Sequence, residues 1–401
     1  MTAADDTALR LPQGRSVWMV SRKHPPGVGG MEVYSAQVIK EVGCLAPLTT
    51  IARNVSPLGL AWFLPVAAGR ILLGLIARRV AVVHLHDAVL ASLGWLARPF
   101  GVPVVVTLHG LDVCHSNPIY QLHFRSLARS FAAYVCVSRH VADLAERAGI
   151  PARRLHVVPI GVARDLHHDA SGARRIDSEP GAETAAPAAA ANDRSEAADS
   201  AAEGLAAALH KDAPLLLTVG RLVARKGVRW FVDEVVPALA RSIPDLHYAI
   251  AGAGPEEKSI RDAIRAHGLE GRVHLLGVVS DAEKQALLNR ASLVAMPNVP
   301  VRGDSEGFGV AALEAALAGC PIVAADLEGL RDSVIECRTG IRVAAEDPDA
   351  WIDTIARLLA RPRLAEAIGR RARRAVVTRF DWQWIARRYC EVYRSALRGT
   401  R

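Results

Sequence analysis

Between Asp169 and Leu209 the chain is built from Ala, Glu, Asp, Ser and Gly, with almost no large apolar side chain. Such a stretch cannot bury enough surface to offset the entropy of ordering it. It reads as a linker, disordered or partly helical, that divides the 401 residues into two parts. Each part is long enough to bury a core of its own. On both sides of the linker the same grammar recurs: a short apolar strand, a glycine-bearing loop, then a helix. The first part predicts strands at 17–20, 81–85, 104–108, 133–138 and 155–159, with helices at about 31–41 and 141–148. The second predicts strands at 215–219, 248–251, 273–276, 293–296 and 322–324, a helix at 310–318 and an amphipathic one at 380–397. Strands alternating with helices specify doubly wound parallel sheets. The expected fold class is therefore α/β, with two Rossmann-like lobes whose ligand loops face a common cleft.

Hydrophobic residues make up 51% of the chain and charged residues 22%, as in a soluble globular protein. Lys+Arg exceed Asp+Glu by 49 to 41, giving a net charge of +8. That balance suits an acidic partner such as a phosphate or an anionic membrane. Nucleic acid is not expected, because no basic run alternates with aromatics and no zinc-finger spacing occurs. The six cysteines form no C-x-x-C pair and read as reduced thiols of a cytoplasmic protein. The N-terminal MTAADDTALRLPQGRS has no apolar core and does not read as a signal peptide. The most apolar stretch, 58–76, is broken by Pro65 and Arg70 and reads as a core helix or one lying on a surface.

The chemistry concentrates at strand ends. Ser305 to Pro321 reads SEGFGVAALEAALAGCP: an acid, Glu306, then Gly307-Phe308-Gly309, then a helix from Val310 that carries Glu314. Unpaired amides at a helix start attract anions. Two carboxylates beside an anion site cannot hold the phosphate and are suited to accepting hydrogen bonds from hydroxyls. Phosphate plus hydroxyls describes a sugar nucleotide. After the first strand of the second lobe comes Gly220-Arg221-Leu222-Val223-Ala224-Arg225-Lys226-Gly227, where Arg221 offers a planar fork and Lys226 a point charge. No Gly-Lys-Ser/Thr follows, so the loop is not a Walker loop. In the first lobe Gly27-Val28-Gly29-Gly30 follows the first strand, and His109 ends the 104–108 strand, where α/β sheets place ligands. Asp347-Pro348-Asp349 imitates a D-x-D metal motif, yet Asp347 reads better as a helix cap with Pro348 at the first helical position.

Together these motifs resemble the retaining two-lobed GT-B glycosyltransferases, specifically family 4 (group 1). The resemblance rests on GVGGME (27–32), TLHG (107–110), CVS (136–138), VVPIGV (157–162), GRLVARKG (220–227), AGAGPE (251–256), HLLGVVS (274–280), EGFGVAALE (306–314) and AGCPIVA (318–324). It covers nearly all of the chain except the insert. It implies a first lobe at 1–168 on the acceptor side, an insert at 169–211 and a nucleotide-sugar lobe at 212–378. A helix at 379–401 would then return to the first lobe. Arg221 and Lys226 should hold the donor diphosphate, with Gly220 and Gly254 in the adjoining loops. Glu314 should bind the ribose, and Val278 should lie near the base. Glu306, with the amides of Gly307, Phe308, Gly309 and Val310, should grip the donor sugar. Gly29 and Gly30 should approach the phosphate from the facing lobe, and His109 should sit near the sugar and the acceptor. Ile160-Gly161 departs from the family's usual Asn-Gly, which removes any polar role for that turn.

The implied reaction is transfer from a nucleotide-diphosphate sugar to a glycan or lipid-linked acceptor in cell-envelope or polysaccharide synthesis. It would proceed with retention, without a metal and with no cofactor beyond the donor. A sugar-nucleotide epimerase of the same fold and a non-catalytic sugar-nucleotide binder are the alternatives. E-x7-E together with GR-x4-KG favours the transferase. The apolar 58–76 stretch, with Trp62, Phe63, Arg70, Arg78 and Arg79 around it, predicts peripheral contact with an anionic membrane surface.

Overall fold

The computed structural model describes residues 8–26, 29–56, 58–115, 117, 120–122, 124, 131–162 and 213–399. The low-complexity insert at 169–211 lies outside them, as do Gly27 and Val28 of the first glycine loop.

The first lobe is a sheet of β1 (Ser16–Ser21), β2 (Leu48–Ala52), β3 (Val80–Leu85), β4 (Val104–Leu108), β5 (Ala133–Cys136) and β6 (Leu155–Val157). The second is a sheet of β7 (Leu215–Val219), β8 (His247–Ala251), β9 (Val273–Gly277), β10 (Leu293–Met296), β11 (Ile322–Ala325) and β12 (Ile341–Val343). Their orders are β2-β1-β3-β4-β5-β6 and β12-β11-β10-β7-β8-β9, and every pairing is parallel. These are two Rossmann-like lobes. Central strands such as β4 (VVVTL) are buried along their whole length, because helices cover both faces of a parallel sheet. The edge strands β2 and β12 were not legible in the sequence. In β2 one residue of five, Ile51, is buried, and β12 is three residues long, so neither carries an apolar run.

Strand order reverses beside β1 in the first lobe, which lies between β2 and β3, and beside β7 in the second, between β10 and β8. Such switch points open a crevice at the carboxyl ends of the strands. The register of β1 with β3 (Val20 opposite Leu85) brings the loop at Arg22 beside the loop at Asp87. The pairing of β7 with β10 does the same for the Lys226 and Glu306 loops.

The C-terminal helix, Trp382–Arg398, packs on the first lobe. Asp381 starts it, accepting from the amides of Gln383 (2.7 Å) and Trp384 (3.1 Å). Tyr389 hydrogen-bonds the Tyr34 hydroxyl, and the Tyr393 hydroxyl lies 2.7 Å from His84 Nδ1. His84 Nε2 in turn meets Thr107 Oγ1 at 2.9 Å, so a buried polar chain ties the helix to β3 and β4. The 58–76 stretch forms the helix Leu60–Ile76, which turns Phe63, Ala67, Ile71 and Leu75 inward. Trp62, Leu73 and Ile76 face outward. Among the described residues no helix is long and apolar enough to cross a membrane.

Candidate functional site

At the second lobe's switch point Lys226 Nζ lies 2.5 Å from Glu306 Oε2. Asn298 Nδ2 donates to the same oxygen at 3.1 Å, and Arg225 Nε is 3.7 Å away. Glu306 is 8% exposed. Burial by itself would raise its pKa, but Lys226 and Arg225 outweigh that and hold the carboxyl below its usual range. Glu306 is therefore ionised, and its second oxygen, Oε1, makes no hydrogen bond among the described residues. Glu328, in left-handed backbone (φ 47°), places its carboxylate on the Glu306 amide at 2.6 Å. A residue with a Cβ tolerates that conformation at a cost, and here the hydrogen bond fixes the loop that presents Glu306.

The first lobe meets this loop directly. A Cβ on Gly307 would lie 2.3 Å from the His109 carbonyl oxygen, so the two backbones touch across the cleft. His109 Nε2 donates to the His86 carbonyl at 2.9 Å, which fixes the tautomer and leaves Nδ1 as an acceptor. The His109 amide donates to Asp112 Oδ2 at 2.9 Å, and the Tyr34 ring packs edge-on against the imidazole at 5.0 Å. Burial lowers the pKa of His109 and keeps it neutral. Two further contacts join the lobes. His140 Nε2 lies 2.8 Å from Ser305 Oγ, and Asp332 Oδ2 accepts from the Arg139 amide at 3.0 Å. Asp332 thus sits on the N-terminus of the helix Arg139–Arg147, where a carboxylate is favoured.

The remaining candidates spread outward along the strand ends. Arg221 is exposed, and among the described residues its side chain has neither an ion pair nor a hydrogen bond. Gly220 and Gly252 hold the loops after β7 and β8 together; a Cβ on Gly252 would fall 1.9 Å from the Gly220 oxygen. Gly254 packs in the same way on the backbone of Leu222. Val278, 62% exposed after β9, offers an open apolar surface. Gly309 and Val310 begin the helix Val310–Ala318 as expected, and no side chain caps its first amides. The Phe308 side chain is buried against Phe380, ring to ring at 5.8 Å, which leaves its backbone for a ligand. Glu314 has a protein partner: Lys284 Nζ binds it at 3.0 Å and also binds Asp281 at 3.0 Å. In the first lobe Gly29 caps the helix Gly30–Gly43, backed by the Glu32 carboxylate, which pairs with Lys23 at 3.2 Å. Asp347 accepts from the Ala350 amide at 3.1 Å and has Pro348 after it, the cap that the sequence suggested.

Sequence reasoning missed Arg225, Asn298, Glu328, Asp332 and His140. Arg225 stood inside the GRLVARKG string. Glu328 stands beside Gly329, and nothing local marks Asn298, Asp332 or His140.

A model of glycosyl transferases group 1 matches residues 213–361, and one of glycosyltransferase family 4 matches residues 28–166. A glycogen synthase of Mycobacterium tuberculosis is 35% identical over 186 residues, 46% of this chain and 44% of that one. The match therefore spans less than half of that relative's length. A GDP-mannose-dependent alpha-(1-6)-phosphatidylinositol monomannoside mannosyltransferase of Mycolicibacterium smegmatis is 30% identical over 305 residues, 75% of this chain and 72% of the relative. The solved structure of Anabaena HepE with UDP and glucose superimposes with a TM-score of 0.69 at 18% identity, covering 94% of this chain and 99% of that one. With two parallel six-stranded lobes, motifs on their facing strand ends and matches across both lobes, the chain belongs to the GT-B glycosyltransferases of family 4 (group 1).

Proposed function

We propose that the protein transfers a sugar from a nucleotide-diphosphate sugar to a hydroxyl of a glycan or lipid-linked acceptor, with retention and without a metal. The observation that carries this reading is the ionised Glu306 held by Lys226 at the second lobe's switch point, against the neutral His109 of the facing lobe. The named substrates of the relatives support a nucleotide-sugar donor: GDP-mannose for the mannosyltransferase, and UDP bound in HepE.

Each residue then has a task. When the donor enters, its diphosphate becomes the anionic partner of Lys226 and Arg221. Together with the first amides of the helix Val310–Ala318 they stabilise the charge that grows as the diphosphate departs. Glu306 Oε1 accepts from sugar hydroxyls and fixes the sugar beside the cleft wall. Glu314 exchanges its Lys284 contact for a ribose hydroxyl. His109 Nδ1 accepts a hydroxyl proton in a hydrogen bond, while its Nε2–H stays on the His86 carbonyl. The acceptor oxygen attacks the anomeric carbon on the face that the diphosphate leaves, and the leaving phosphate oxygen takes the acceptor proton.

The same reading includes reversible contact of the first lobe with an anionic membrane. Trp62 and Leu73 are 58% and 69% exposed on the helix Leu60–Ile76, and Arg53 sits over the Trp62 ring at 5.4 Å. Trp95 is also exposed, with Arg98 over its ring at 5.6 Å. Apolar rings edged by guanidinium groups suit the headgroup region.

The test is nucleotide release from a panel of UDP-, GDP- and ADP-sugars, followed by NMR of the product's anomeric configuration and a repeat in EDTA. Retained configuration with activity surviving chelation supports the proposal. Inversion, abolition by EDTA, or no release from any donor overturns it.

A further inference from the structure

Among the described residues four other than glycine have left-handed backbone: Arg78, Glu328, Cys337 and Glu346. Arg78, Cys337 and Glu346 are exposed. Glu328 is half-buried, in the turn after β11, against the loop that carries Glu306. A side chain at φ 47° costs backbone free energy, and such a cost persists where the surroundings over-determine the conformation. These outliers concentrate at functional sites, so the turn at Glu328 calls for an account of what it achieves.

Its contacts supply one. Glu328 Oε2 accepts from the Glu306 amide at 2.6 Å, a short bond of the kind a carboxylate makes to a backbone donor. The next amide, that of Gly329, donates to the Glu306 carbonyl at 3.1 Å. Both peptide groups of Glu306 are thus taken by two consecutive residues of a turn further along the chain. Gly329 sits so close that a Cβ there would collide with the Gly307 carbonyl. On the other side Lys226 and Asn298 hold Glu306 Oε2, at 2.5 and 3.1 Å. Glu306 is therefore fixed at its amide, its carbonyl and one carboxylate oxygen, and Oε1 is the atom left to offer. The groups assigned to the nucleotide, Arg221, Lys226 and Glu314, make no bond to Glu328 among the described residues. The strained turn thus bears on the sugar end of the site and not on the nucleotide end.

We infer that Glu328 is a positioning residue for the sugar end of the donor: its carboxylate, held by the left-handed turn, sets the direction in which Glu306 Oε1 is presented. The inference rests on the transferase reading and assigns it a residue that acts through Glu306.

Three variants of the full chain separate the carboxylate from the strain. Glu328→Gly frees the backbone and removes the carboxylate, Glu328→Ala removes the carboxylate and keeps the strain, and Glu328→Gln keeps the strain and an acceptor oxygen. With the donor found active above, Glu328→Gly and Glu328→Ala should each cut kcat by about tenfold or more, as loss of orientation does. Inhibition by the free nucleoside diphosphate of that donor should be unchanged. Glu328→Gln should recover part of the rate. Glu328→Gly should melt at a higher temperature than Glu328→Ala, so that the loss of rate does not follow stability. Hydrogen exchange at the Glu306 amide should quicken in the Gly and Ala variants and stay slow in Glu328→Gln. An unchanged kcat in Glu328→Gly, a rate loss that tracks melting temperature across the three, weakened nucleoside diphosphate inhibition, or equal protection of the Glu306 amide in every variant overturns the inference. If the unaltered chain releases nucleotide from no donor, the transferase reading fails by itself, and exchange at Glu306 still decides whether Glu328 positions it.

Discussion

Lys226 and Glu306 form a 2.5 Å ion pair between two loops that the sheet brings together at a reversal of strand order. Both side chains are mostly buried, at 13% and 10% exposure. Removing one partner of such a pair strands the other charge, whereas removing an exposed cation does not. Lys226→Ala should therefore lose roughly 3–5 kcal/mol of stability and also cut transfer by about a hundredfold or more. Arg221→Ala, at an exposed and unpaired site, should match the loss of rate with an unchanged melting temperature. Denaturant unfolding and nucleotide release on both variants check the split. Equal destabilisation of the two, or near-normal turnover in either, would contradict it.

Gly307 leaves no room for a side chain, because a Cβ there would meet the His109 carbonyl oxygen at 2.3 Å. That contact is backbone against backbone and joins the two lobes. Gly307→Ala should force the lobes apart while each sheet remains intact. Transfer should fall by about tenfold or more, the result of displacing reacting groups by a fraction of an ångström. Donor affinity should fall less, and far-UV circular dichroism should be unchanged. Wild-type turnover in Gly307→Ala would mean that the cleft does not react in this closed form.

Asp112 makes stability depend on pH in a defined direction. Burial first, then Asp87, raise its pKa from 3.8 to about 7 in the folded chain. Between those values the folded state holds the proton more tightly than the unfolded state. Ionisation therefore removes stability as pH rises through that window, with no further loss above it. Asp112→Asn cannot ionise, and its amide oxygen can still accept from the His109 backbone. Its stability relative to the unaltered protein should climb from about pH 4 to about pH 7 and then level. Urea unfolding across that range reads the difference directly. A constant difference would show that Asp112 is charged throughout.

The outward face of the helix Leu60–Ile76 should bind vesicles containing phosphatidylglycerol and not neutral phosphatidylcholine vesicles. Each basic side chain near such a surface adds about 1 kcal/mol, an attraction that salt screens. Trp62→Ser should weaken binding without changing the fold, since Trp62 is exposed. Co-sedimentation at low and high salt is the measurement. Equal binding to both vesicle types would remove the membrane contact and leave the cleft chemistry untouched.

The sequence by itself determined most of the elements and the glycine loops at the strand ends. β4, β7 and β10, and the helix Val310–Ala318, fall where apolar runs and glycine punctuation put them, because those signals are local. Arg221, Lys226 and Glu306 could be named in advance because each stands in a loop directly after a legible strand. Tertiary structure alone decided which loops meet. Strand order is set by how helices pack across a sheet, and no local residue pattern encodes that β1 lies between β2 and β3 or that β7 lies between β10 and β8. For that reason Asn298, Glu328 and Asp332 were invisible, as their partners lie 8, 22 and 193 residues away in the chain. In sequence Arg22, His86 and Asp87 are scattered polar residues near strand ends, and the parallel register that sets β1 beside β3 brings them together.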